Sequence, residues 1–225
     1  MVIGIDMTAP NTSFDSLSYW RTRHDQYLTD AKGVGNVVLD SAHNERIYAA
    51  IEKYVAAIAA RLKLNGARRV LDLGCDIGML ANAFLANGLD YTGVDISRTA
   101  VDIASDKHPQ GRFVVGNIAI LPVSEPFDIV IERTVFIHLV EDAYWKSTLR
   151  QVKRSLAPNG MFIMIDQLPL DSASAPPSAA HVKFRHFSAY EQEFAQIGLR
   201  FNAQARAALI QHVALNENTH LVTHK

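Results

Sequence analysis

The stretch Val70-Leu71-Asp72-Leu73-Gly74-Cys75-Asp76-Ile77-Gly78-Met79-Leu80 decides the fold. Val70 to Leu73 is an apolar run broken by one acid, which reads as a strand buried on both faces. Gly74 and Gly78 follow where the chain must turn sharply, and an apolar, helix-forming run from Met79 to Ala86 comes next. Strand, glycine turn and helix start, in that order, make a nucleotide-type site. Glycine lets the backbone approach a ligand closely, and the first N–H groups of a helix lack internal partners. Downstream, Tyr91-Thr92-Gly93-Val94-Asp95-Ile96 reads as a second strand ending in an acid. Asp95 lies about 20 residues after the first glycine, the separation at which a carboxylate can accept ribose hydroxyls.

Two cofactor classes use this arrangement. A dinucleotide enzyme wants G-x-G-x-x-G, so that pyrophosphate sits on the helix N-terminus. Here Met79 stands where the last glycine should fall, and Asp76 would face the negative pyrophosphate. A nucleoside without phosphates suits the site better. The series Asp72-x-Gly74-x-Asp76-x-Gly78, followed by Asp95, resembles motif I and the acidic strand end of the class I S-adenosylmethionine-dependent methyltransferases. That family's pattern is acid-x-Gly-x-Gly-x-Gly, so Asp76 departs from it at the middle glycine. The resemblance implies an α/β fold: a doubly wound, seven-stranded, mostly parallel sheet with an antiparallel last strand, helices on both faces and an N-terminal helical cap. It also implies S-adenosylmethionine as cofactor and S-adenosylhomocysteine as product, with Asp72, Gly74, Cys75, Gly78, Asp95 and Ile96 against the cofactor.

Composition agrees with an enzyme of this kind. At 225 residues the length is a prior for one domain or a domain with an appendage. A 48% hydrophobic content supports a substantial core, and a net charge of -1 argues against bulk attraction to nucleic acid or anionic membrane. The single cysteine permits no internal disulfide, which fits a reducing cytoplasm. Beside the glycine turn, Cys75 reads as a small buried filler rather than a nucleophile. No signal peptide, spanning segment, repeat or Cys/His metal spacing is visible, so a metal-independent reaction is expected.

Taken in order, residues 1–65 read as the helical cap and 66–225 as the cofactor-binding domain. Pro10-Asn11-Thr12-Ser13 is the first helix-start signal, and Phe14 to Leu28 reads as a helix ended by Gly33-x-Gly35. Asp40 or Ser41 can cap a long helix to about Leu64, stopped by Asn65-Gly66. Tyr19-Trp20-x-x-Arg23-His24 resembles the cap of some small-molecule methyltransferases, which implies that Trp20 and Arg23 help close the cofactor pocket. The competing reading makes Trp20 core and Arg23 a solvated helix charge.

After a Ser97-capped helix and a third strand from Arg112 to Gly116, Asn117-Ile118 follows. The resemblance gives Asn117 the adenine amino group, through its carbonyl oxygen, and puts Ile118 beside the ring; the alternative is a turn asparagine. Phe127 to Arg133 is the fourth strand, with Glu132 and Arg133 at its carboxyl end, where open α/β sheets bind ligands. Val135 to Leu139 borders the donor. In it His138 is the best-placed general base, with Asp166, Glu132 and His181 as rivals. A helix from Asp142 to Leu156, a stop at Ala157-Pro158-Asn159-Gly160 and a strand from Met161 to Ile165 complete five βα units. Residues 169–180 read as a loop. Ser188 is expected to cap the next helix, with two edge strands after it, at 199–205 and between about 207 and 224.

Lys183, Arg185 and His186 form the one local basic cluster, a candidate for an anionic group on the acceptor or else a solvated loop. Three functions stay in play: a small-molecule O- or N-methyltransferase, a non-catalytic protein on the same fold, and a nicotinamide-dependent oxidoreductase. The expected partner is a small-molecule acceptor, with neither nucleic acid nor membrane, in a monomer or homodimer.

Overall fold

The computed structural model describes residues 14–30, 32–33, 39–170, 179–214 and 217–225. The helix-start signal at 10–13, Gly35 and the middle of the 169–180 loop lie outside the described residues. One seven-stranded sheet forms the centre, in the order β3-β2-β1-β4-β5-β7-β6. Its strands are β1 Arg69–Leu73, β2 Asp90–Asp95, β3 Arg112–Val115, β4 Phe127–Arg133, β5 Leu156–Ile165, β6 Leu199–Phe201 and β7 Thr219–His224. The pairs among β1 to β5 are parallel, and β7 runs antiparallel to both its neighbours.

From β1 the chain winds outward through β2 and β3, then returns to place β4 on the other side of β1. The order therefore reverses between β1 and β4, and a crevice opens beyond their carboxyl ends, the usual ligand site of an open α/β sheet. Strand β1 can sit there because Val70, Leu71 and Leu73 are all fully buried, contributing to cores on both faces.

Two helices precede the sheet. Helix α1, Ser16–Tyr27, starts at Asp15, whose carboxylate accepts from Leu17 and Ser18 N–H. Helix α2, Ser41–Leu64, starts at Asp40, whose carboxylate accepts from His43 N–H. Val55, Ile58, Ala59 and Leu62 of α2 pack into the same core as Val70 and Ile131. The short α3, Ala81–Leu85, starts later than the sequence predicts because Ile77 to Leu80 stay in turns.

Helix α4, Arg98–Lys107, is capped by Ser97, and α5, Asp142–Ser155, passes straight into β5 at Leu156. The segment Ala157 to Gly160 is thus strand rather than a stop. Leu156 pairs with Phe127, a register shift follows, and Gly160 lies where an added Cβ would come within 2.8 Å of the Phe127 carbonyl. Helix α6, Phe187–Ile197, has His186 at its N-cap position, and Ser188 sits inside the helix as its second residue. The last two strands are not joined by a simple hairpin. Helix α7, Ala203–Ile210, lies between them, and the Asn202 side chain caps it by accepting from Ala205 N–H. Its alanine-rich run favours helix over strand.

Candidate active site

At the end of β1 the chain turns at Gly74, which has a φ of +72°; an added Cβ would lie 2.6 Å from Val135. Only glycine meets both demands cheaply. The Gly74 and Cys75 amides donate to the Val94 carbonyl, tying the turn to β2. Asp76 follows with a φ of +56°, unusual for a residue carrying a Cβ. Its amide donates to Asp95 Oδ2 at 3.0 Å, and the Ser97 amide donates to Asp95 Oδ1 at 2.9 Å. Asp95 therefore organises both the glycine turn and the start of α4. Burial pushes its carboxyl up, and the Asp76 charge adds to that; His24 and the two amides oppose it.

A cavity, open at its mouth, lies over these strand ends. Asp72, Gly74, Cys75, Asp95, Ile96, Ile118, Arg133 and His138 line it, as does Trp20. Asp72 is 2% exposed and accepts from the Tyr91 hydroxyl; burial raises its carboxyl to about 7. Cys75 packs beside Gly93, and burial holds its thiol well above the usual range, as a filler rather than a nucleophile requires. Gly78 does not line the cavity. An added Cβ there would meet His108 and Ala104, so this glycine serves the close approach of the turn to α4.

Helix α1 forms the cavity's cover through one stripe. Ser16, Trp20 and His24 recur every four residues and all face the cavity, as does Leu17. Arg23 lies on the neighbouring stripe. Its guanidinium donates to the Tyr19 hydroxyl and the Lys32 carbonyl, and stands 5.0 Å from the Trp20 ring centre. Arg23 therefore braces the cover from behind, and the inward titratable residue of the stripe is His24, one position on. His24 Nε2 lies 3.0 Å from Asp76 Oδ1.

Asn117 also departs from its expected place. Its Oδ1 accepts from the Ala119 amide and from the Tyr144 hydroxyl, both at 2.8 Å, so neither lone pair is left for an adenine amino group. The turn reading describes it, and Asn117 acts by positioning Tyr144, which does line the cavity. Glu132 is fully buried below the wall. Its Oε2 accepts from the Val135 and Phe136 amides, and Asp166 Oδ2 accepts from the Ile137 amide. Burial raises both carboxyls, that of Asp166 to about 7. Glu132 and Asp166 thus hold the backbone of the Val135–His138 segment rather than reaching the cavity.

His138 closes a 3-10 turn, Phe136–His138, at the cavity wall. Its ring meets the Trp20 ring edge-on at 4.6 Å and stacks on His181 at 5.8 Å. Nδ1 lies 2.8 Å from the His181 carbonyl oxygen. A carbonyl only accepts, so Nδ1 carries the hydrogen. Burial depresses this imidazole to about 4. At neutral pH the ring is therefore uncharged and Nε2 is a bare hydrogen-bond acceptor.

The basic cluster is engaged elsewhere. Arg185, 5% exposed, donates to Asp142 and to the carbonyls of Leu139 and Val140, and lies over the Trp145 ring. Lys183 pairs with Asp142 at 2.7 Å. Neither of them, nor His186, lines the cavity. Together Arg185 and Asp142 pin the segment that follows His138. Sequence reasoning missed Tyr48, Tyr144 and His24 among the lining residues. The four-residue recurrence from Trp20 to His24 was a readable signal for the last.

Comparison with known proteins places this geometry. Residues 70–160 match the methyltransferase domain family. Over residues 70–160 the chain carries a methyltransferase domain. The domain is 32% identical over 106 residues to an uncharacterised methyltransferase of Synechocystis, covering 47% of this chain and 50% of that one. It is 26% identical over 107 residues to a dTDP-4-amino-2,3,4,6-tetradeoxy-D-glucose N,N-dimethyltransferase of Saccharopolyspora spinosa, covering 46% and 42%. The methyltransferase domain thus aligns with about half the length of the curated relatives it matches. Among solved structures, the fold resembles magnesium protoporphyrin IX methyltransferase of Synechocystis PCC 6803 with bound S-adenosylmethionine. The TM-score is 0.65 at 16% identity, over 94% of this chain and 97% of that one. Among the described residues no helix of the domain is long and apolar enough to cross a membrane.

The cavity suits the family's cofactor. Three carboxylates, Asp72, Asp76 and Asp95, face it. That set of acceptors repels a pyrophosphate and favours a ligand bearing hydroxyls and positive charge, as S-adenosylmethionine does.

Proposed function

We propose that this chain transfers a methyl group from S-adenosylmethionine to an oxygen or nitrogen of a small-molecule acceptor, without a metal. The observation that carries the proposal is the carboxylate-lined cavity closed by Trp20 and bordered by the neutral His138 ring. When bound, S-adenosylmethionine supplies an electrophilic methyl group, so transfer is an in-line displacement. The protein's task is to align the acceptor and exclude water. Asp95 accepts ribose hydroxyls, and Ile118 offers an apolar wall to the adenine. Trp20 and Leu17 cover the site. His138 Nε2, bare at neutral pH, accepts the hydrogen bond of the acceptor's O–H or N–H and turns its lone pair toward the methyl group. A strong proton acceptor is not needed when the nucleophile is an amine, because an amine nitrogen attacks before it loses its proton. The amino sugar named for the Saccharopolyspora relative supports an amine acceptor.

The test is calorimetric titration with S-adenosylhomocysteine and NADH, followed by tritiated methyl transfer to pooled amino sugars, sugars and amines. Micromolar S-adenosylhomocysteine binding with label in an amine is the expected result. NADH binding in its place would favour an oxidoreductase. Cofactor binding with no label in any pool, or in water extracts of cells, would favour a non-catalytic protein.

A further inference from the structure

His24 is 3% exposed and lines the cavity, and its Nε2 is engaged with Asp76 Oδ1 at 3.0 Å. Among the described residues its Nδ1 is buried with no hydrogen-bond partner. A buried polar nitrogen without a partner is costly, and a ligand group placed against it from the adjoining cavity would remove that cost. The sign of the ligand group follows from the neighbours. Asp76 and Asp95 face this imidazole and favour its charged form, while burial and Arg23 oppose that; the balance is upward from the ordinary histidine value. A doubly protonated ring donates at both nitrogens. One donor goes to Asp76, and the other is left for an anion. Among the described residues, Arg133 also lines the wall, with its guanidinium 4.7 Å from the Tyr48 ring centre.

We propose that His24 is a cofactor-binding residue of this chain, donating from Nδ1 to the carboxylate of the amino-acid end of S-adenosylmethionine, with Asp76 as the residue that holds it there. The inference rests on the methyltransferase reading and assigns a residue within that site. It also gives a reason for Asp76 at a glycine position. An acid there would repel the ligand's carboxylate if it stood alone. Paired with His24, it instead orients a donor toward that carboxylate. The sequence departure and the histidine on the cover are then one device made of two residues.

The test uses the full chain and two probes that differ only at this end. S-adenosylhomocysteine carries the amino acid, and 5′-methylthioadenosine lacks it. His24→Ala should weaken S-adenosylhomocysteine about 10- to 100-fold, the range for losing a hydrogen bond to a charged group, and leave methylthioadenosine within about twofold. His24→Asn, which keeps an N–H donor close to the place of Nδ1, should bind S-adenosylhomocysteine with intermediate affinity and guards against a folding defect in the alanine variant. Equal weakening of both probes would make His24 a packing residue of the cover and overturn the proposal. So would unchanged affinity for both. If the unaltered protein binds neither probe at millimolar concentration, the methyltransferase reading falls and this inference falls with it.

Discussion

His24 on the covering helix and Asp76 in the glycine turn are joined side chain to side chain, across 3.0 Å and 52 positions of sequence. The pair connects the cover to the cofactor loop, and its energetics can be weighed. Asp76 occupies the left-handed region, which costs a residue with a Cβ roughly 1–2 kcal/mol. A hydrogen bond to a charged partner contributes about 1.5–3 kcal/mol. Asp76 also accepts from the Ile77 amide at 2.7 Å. The favourable terms win, so Asp76→Gly should destabilise the protein by about 1 kcal/mol. In a chain of this size that lowers the Tm by about 2–4 °C. Its affinity for S-adenosylhomocysteine should fall less than tenfold. A raised Tm would show that backbone strain outweighs the pair. A hundredfold gain in affinity would show that Asp76 obstructs the cavity.

Asp95 organises the glycine turn and, on the function proposed above, also holds the cofactor's ribose, and substitution should expose both. Its oxygens already accept the Asp76 and Ser97 amides, and each oxygen keeps capacity for a further donor. Asp95→Ala should weaken S-adenosylhomocysteine by about 1.5–3 kcal/mol, on the scale of hydrogen bonds to charged groups. It should also lower the Tm, because two amides lose their acceptor. Asp95→Asn keeps an acceptor for one amide and so should retain more stability than the alanine variant while still losing affinity. Unchanged calorimetric affinity in both variants, with only the Tm reduced, would confine Asp95 to the turn.

Arg185 belongs to stability rather than to acceptor recognition. Its guanidinium satisfies two main-chain carbonyls and the Asp142 carboxylate from a buried position. Arg185→Ala should cost about 2–4 kcal/mol in denaturant unfolding, since the carbonyls and the carboxylate lose a shared donor. Arg185→Lys should recover only part of this, because an ammonium cannot reproduce the planar fork. A variant of full stability with a raised KM for the acceptor would return the residue to the binding site.

The sheet was legible because its signals are local. Val70 to Leu73 is an apolar run broken only by Asp72, Asp95 ends a second such run, and Gly74 and Gly78 mark the turn after the first. Those features identify strand, crevice and cofactor together. The surroundings of the polar side chains are less legible. Asn117, Arg23 and Arg185 are polar residues at suggestive positions, yet each finds its partner within the protein: Tyr144, the Lys32 carbonyl and Asp142. Which polar group is already satisfied depends on contacts between distant segments, and local sequence does not contain them. Helix α7 was missed for a simpler reason. Two edge strands are expected across residues 199–224, but the helix propensity of Ala203 to Ala208 and the cap at Asn202 place a helix between them.

The strongest test of chemistry is His138. With Nδ1 committed to the His181 carbonyl, only Nε2 is left to act. His138→Phe is the informative change, because it keeps a ring against Trp20 and His181 while removing both nitrogens. The kcat should fall about 100-fold or more if Nε2 orients or deprotonates the acceptor, with S-adenosylhomocysteine affinity unchanged. Burial holds this imidazole at about 4, below the ordinary 6.5, so the acidic limb of the unaltered enzyme's rate profile should centre near pH 4. Stability carries the same signature. Between those two values the unfolded chain binds the proton that the folded chain refuses, so this contribution is present above pH 6.5 and is lost as the pH falls toward 4. Comparing the unfolding free energy of the two proteins across that window isolates the residue from buried carboxyls such as Asp72, whose raised value works in the opposite direction. The difference between the proteins should change with pH there and be constant above it. An unchanged kcat with the same limb in His138→Phe would exclude Nε2 from the reaction and leave transfer to alignment alone.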